Sequence, residues 1–161
     1  MKNVLAAFFA VLTLSTSPAT AQVGGNLAAG PPVELELTIS ETAEGKPQIS
    51  ATEFKLITGE YYRLNVTSSG KTDWRLELPD LLQNSHLRVV TVNGVEIHLQ
   101  SMVFRAIEFD EPNKASFTFT PIRPGIYKYT IGRNPIAQGL PAGQAGIQET
   151  DRRAEGRFIV E

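Results

Sequence analysis

Apolar residues recur at every second position along most of this chain, and that periodicity restricts it to sheet. Val33, Leu35, Leu37 and Ile39 alternate with Glu34, Glu36 and Thr38, the pattern of a strand with one face in a core and one in water. Phe54 and Leu56 lead into the turn residues Thr58-Gly59-Glu60, after which Tyr62, Leu64 and Val66 alternate with Arg63, Asn65 and Thr67. Trp74, Leu76 and Leu78 repeat the pattern, as do Ala115, Phe117 and Phe119, and then Tyr127, Tyr129 and Ile131. Arg157 to Val160 closes the series. No helical periodicity is sustained, and Asp80 to Asn84 has room for one turn. Eight or so short strands at this spacing predict an all-β fold, a Greek-key antiparallel β-sandwich. The sharpest local signal is Val92-Asn93-Gly94-Val95, because Asn-Gly tolerates the positive φ of a type I′ turn and predicts a two-residue hairpin. Counting outward from that turn pairs Val89 with His98 and Leu87 with Gln100.

The start of the chain carries a different code. Lys2, the apolar run from Val4 to Leu14 and the small-x-small triplet Ala19-Thr20-Ala21 read as a signal peptide over residues 1–21, cut after Ala21. That run falls short of the roughly 20 residues needed to span a bilayer. The expected product is exported, periplasmic or secreted, with no membrane span. Residues 22–32, rich in Gly, Ala and Pro, read as a flexible leader. Residues 33–161 then make one domain. The formal charge of −2 becomes −3 once Lys2 is removed, and the basic residues are scattered, so no footprint for nucleic acid exists. The chain has no cysteine, which excludes disulfides, a lipid anchor at the cleavage site and any thiolate–metal bond.

Three segments carry a family resemblance. They are Leu56-Ile57-Thr58-Gly59-Glu60-Tyr61-Tyr62-Arg63-Leu64-Asn65-Val66, then Phe117-Thr118-Phe119 through Pro124-Gly125-Ile126-Tyr127-Lys128-Tyr129, and finally Gly156-Arg157-Phe158-Ile159-Val160. In order and spacing they resemble the cupredoxins, small exported sandwiches that usually hold one copper. The resemblance implies a cupredoxin-like fold, and it also implies where ligands would stand. The first histidine position falls in Thr72-Asp73-Trp74, the cysteine on Thr130 or Ile131, the second histidine near Asn134 and the methionine within Ala137 to Gly146. None of the four holds the required residue type, so a His₂Cys blue-copper site cannot be assembled. Trp74, Tyr129 and Ile131 are expected to fill the space a metal would leave.

The remaining candidate ligands are His86, His98 and Met102. His98 and Met102 are four apart, which on a continuous strand puts them on one face, and a His/Met pair suits Cu(I). Two donors fall short of the three or four a stable site needs. The expected hairpin puts His86 on the opposite face. Acid pairs such as Asp110-Glu111 read as turns, and no serine sits in a strand–turn–helix elbow, so no catalytic group is assigned. Function therefore divides between two readings. In the first, a non-enzymatic binding module holds a protein partner in the periplasm, or a small ligand, through its loops, with no cofactor. In the second, a copper-handling protein uses a non-blue site around His98 and Met102.

Overall fold

The computed structural model describes residues 27, 29–69, 73–93, 96–100, 103–133 and 153–161, with 96–100, 103 and 105 placed by their backbone alone. The alternating segments form two sheets that close over one apolar core. The first sheet contains β1 (Val33–Glu41), β2 (Pro47–Ile49), β4 (Tyr62–Ser68), β6 (Ser85–Asn93) and β9 (Asn113–Pro121), in the order β2-β1-β4-β9-β6. The second contains β3 (Glu53–Leu56), β5 (Trp74–Glu77), β7 (Glu96–Gln100), β8 (Val103–Phe109), β10 (Gly125–Arg133) and β11 (Ala154–Val160), in the order β3-β11-β10-β5-β8-β7. Among the described residues one short helix, α1 (Pro79–Gln83), starts with a proline in its first turn, where the missing N–H costs nothing, and buries Leu81 and Leu82.

The period-two pattern translates directly into burial. Leu37 and Ile39, Leu64 and Val66, Trp74 and Leu76, Phe117 and Phe119, and Tyr129 and Ile131 all lie in the core; of the residues between them, Thr38, Asn65 and Thr130 reach solvent, while Arg75 and Thr118 are buried as well. Tyr62 stacks with Phe119, and Phe54, Tyr129 and Phe158 form a second aromatic group. The end of the sandwich opposite β10's last residue is sealed by backbone bonds. Thr58 donates to the Glu161 carbonyl at 2.7 Å, and Gly59, in the left-handed region at φ 86°, donates to the Pro121 carbonyl at 2.9 Å. There the Tyr127 hydroxyl donates back to the Arg123 carbonyl at 3.0 Å, and a Cβ on Gly125 would press on that phenol.

Two features depart from the sequence-based expectation. The ladders are not all antiparallel: β1 runs parallel to β4, and β3 runs parallel to β11. Both pairs are joined by long stretches of chain that pass through other strands, which is the length a parallel connection requires. The hairpin at Asn93-Gly94 does not form either. Asn93 pairs with Lys114 of β9, and Glu96 pairs with Glu108 of β8, so the segment is where the chain crosses from one sheet to the other. β6–β7 and β8–β9 together make one long bent ribbon. Val89 pairs with Thr118, not with His98, and His98 pairs with Ala106. The ladder with β9 sets Leu87 and Val90 opposite Phe119 and Phe117, and a register shift between Leu87 and Val89 keeps both against the core. That apolar alignment outweighs a local turn preference.

Candidate functional site

The candidate site is the end of the sandwich where β1, β4 and β10 finish and β5 begins. Strand alternation determines what faces inward there. Ile39, Val66, Leu76 and Ile131 are core residues, so the next inward positions toward this end are Glu41, Ser68, Trp74 and Arg133. Register agrees, since Arg133 pairs with Trp74, Trp74 pairs with Phe109, and Ile39 pairs with Ser68. These side chains form the uppermost layer of the core. It is a polar lid on an apolar interior.

Trp74 and Ser68 are fully enclosed, at 0% and 1% exposure. The Arg133 guanidinium lies over the indole, with Cζ 5.9 Å from the ring centroid, within reach of a cation–π attraction. Its Nη2 is 3.7 Å from a Glu41 carboxylate oxygen, a long ion pair. Gly45, in the left-handed region at φ 74°, leaves space beside both groups. Three polar atoms in this layer are buried with no hydrogen-bond partner: the Trp74 Nε1, the Ser68 Oγ and the Arg133 Nε. Two are obligate donors, and the third is a hydroxyl.

This donor set does not fit copper. A metal ion needs lone pairs, and the layer presents N–H groups and a guanidinium instead. The positions at which the family resemblance would put ligands confirm the mismatch. Trp74, one of the three residues at the first position, presents an indole there, Thr130 and Ile131 stand at the cysteine position, and Thr72 and residues 134–152 lie outside the described residues. Trp74, Tyr129 and Ile131, expected to occupy a vacated pocket, are all in the core.

The alternative ligands are separated by the fold. His86 is exposed on β6 in the first sheet, paired with Thr120, whereas His98 lies on β7 in the second. Met102 lies outside the described residues. Among the described residues no group of three or more His, Asp or Glu side chains is placed to hold a metal. Elsewhere, a groove of about 330 Å³ runs over the outer face of β10 and β11, lined by Glu53, Lys128, Glu155 and Arg157. It is shallow, and Arg157 already pairs with Glu53 at 2.6 Å.

Arg133 and Ser68 were not legible as site residues. Arg133 lies two positions beyond Ile131 on an alternating strand, so parity could have put it on the inner face. A charged residue at a strand end reads by default as solvated.

Solved structures decide the architecture. The fold is cupredoxin-like. The chain is similar to Fet3p, a multicopper oxidase that functions in iron import, with a TM-score of 0.55 and 8% identity over 84% of this chain and 29% of that one. It is similar to the McoA multicopper oxidase from the hyperthermophile Aquifex aeolicus, with a TM-score of 0.53 and 6% identity over 86% and 31% of the two chains. This cupredoxin-like chain therefore spans about three-tenths of the length of those oxidases. No family model and no curated protein matches the sequence. Among the described residues no helix is long and apolar enough to cross a membrane.

Proposed function

We propose that this cupredoxin-like domain is an exported, non-enzymatic binding module in which the Trp74–Arg133 end of the sandwich and its loops hold a partner molecule in place of a redox metal. One observation carries the reading: the top layer of the core offers unpartnered hydrogen-bond donors, and one of them, the Trp74 indole, stands at a position where the family resemblance would put a copper ligand. Loops on a rigid sandwich are favoured sites for recognition, and the 134–152 connection starts at Arg133. A photo-crosslinker at Asp73, beside Trp74, should capture a partner from the exported fraction, and replacing residues 136–146 should abolish the capture. Capture that survives loop replacement would reject this end as the interface.

A second reading keeps copper as cargo at His98 and Met102, with His86 or a second molecule completing the site. It is favoured by the position of His98 near the end of the bent ribbon, where Gln100 pairs with Val103 on either side of Ser101-Met102. Titration with Cu(I) separates the two readings. The copper reading needs binding that the His98→Ala, Met102→Ala double variant removes.

A further inference from the structure

We propose that the polar top layer is a binding site for a small carboxylate, held by the Trp74 Nε1–H, the Ser68 hydroxyl and the Nε edge of Arg133. This deepens the binding-module reading, which it rests on, by naming the chemistry of the ligand. Four observations lead to it.

The first is enclosure. The Ser68 and Trp74 side chains are 1% and 0% exposed, so their polar groups have no bulk water to bond. A buried donor without an acceptor is costly and in native proteins is almost always satisfied by protein, water or ligand. The second is sign. The three unpartnered atoms are donors or can donate, and none is a carboxylate or carbonyl. Such a set selects an acceptor and rejects a cation.

The third is charge. Among the described residues Arg133 provides the positive charge of the layer, and its Nη2 lies 3.7 Å from the Glu41 carboxylate, beyond hydrogen-bond range. The Nε–H is left over. Guanidinium edges bind carboxylates in parallel pairs of short, charge-assisted bonds, a geometry that a neutral acceptor does not reproduce. The fourth is access. Arg133 is about one-third exposed, and its guanidinium links solvent to the buried indole. At Trp74 a donor stands where a metal would need a lone pair.

The chain contains a single tryptophan, so Trp74 emission reports the site without a label. Acetate is the probe, titrated at constant ionic strength into residues 22–161. The expected result is a saturable change in Trp74 emission, with half-saturation on the order of 1 mM, as befits a ligand of four heavy atoms. Arg133→Lys keeps the charge but removes the Nε–H and should weaken binding about tenfold. Ser68→Ala should weaken it less. Glu41→Gln removes a competing carboxylate and should tighten it. Acetamide should give no saturable change.

A linear, non-saturating response to acetate overturns the proposal, because water alone then satisfies the donors. Equal binding of acetamide overturns it too, as does an unchanged affinity in the Arg133→Lys variant. Thermal melts of each variant check that the fold persists. Partner capture by the crosslinker at Asp73 is read separately. Intact capture without acetate binding sinks only the carboxylate assignment, and lost capture sinks the binding-module reading.

Discussion

Single residues show how tightly this fold depends on shape. Gly156 pairs with Tyr129 across β10 and β11, and the phenol ring lies directly over its Cα. A Cβ there would fall inside the ring's envelope, against Cζ and the hydroxyl oxygen. The same hydroxyl donates to the Ala51 carbonyl, so moving the ring would also break that bond. Gly156→Ala should therefore cost about 1–3 kcal/mol, the usual penalty for overpacking a core, read as a lower denaturation midpoint. An unchanged midpoint would mean the ring has a second place to go. Nothing in the sequence announces this glycine, because the constraint comes from a tyrosine 27 positions away that only the strand register brings alongside.

At the scale of elements, β11 holds the second sheet together. It runs antiparallel to β10 and parallel to β3, so β3 joins the molecule through β11. Two kinds of contact secure that junction. Arg157 pairs with Glu53 on the outer face, where both side chains are partly in water. Phe158 is wholly buried and stacks on Phe54, with ring centroids 5.1 Å apart. Exposed ion pairs contribute little, so Arg157→Ala should cost less than about 1 kcal/mol. Phe158→Ala should cost about 3–5 kcal/mol, through lost burial and the cavity left behind. Urea denaturation of the two variants tests the ranking, and the reverse order would show that the surface clasp, not the core, secures β3.

The elements themselves were largely legible. Every alternating segment in the described residues is a strand, since period two needs only one dry face and one wet one. Pairing was less so. Asn93-Gly94 carries a strong hairpin code, yet the adjoining strands find better partners in β8 and β9. A two-residue turn preference amounts to a fraction of what aligning Leu87 and Val90 with two buried phenylalanines contributes.

At the scale of the whole molecule, the response to alkali reports both sheets at once. Tyr62 belongs to the first sheet and Tyr129 to the second. Burial pushes both phenols up to about 12, and at Tyr62 the Glu60 carboxylate that accepts its hydroxyl adds to the effect. Unfolded phenols ionise near pH 10. A folded value raised above the unfolded one means the contribution is fully present below about pH 10 and is lost between about pH 10 and about 12. Melting temperature should fall through that window, and a Tyr62→Phe, Tyr129→Phe double variant should fall less steeply. Tyr61 behaves oppositely, because bonding with Thr118, reinforced by Arg88, holds its phenol below the ordinary range. A double variant as alkali-sensitive as the parent would place the sensitivity elsewhere.

What the amino-acid order determined by itself was the kind of matter this protein is made of: half-buried strands, and a chain without the sulfur a blue-copper centre needs. Both follow from local facts, the alternation of side chains and the absence of one residue type. Only the tertiary structure decided which strands lie together, that Asn93 marks a crossing between sheets, and that Glu41, Ser68, Trp74 and Arg133 face inward at the same end. Those residues come from four strands, β1, β4, β5 and β10, spread over almost a hundred positions. Their convergence depends on packing two sheets face to face, and no pattern along the chain encodes it.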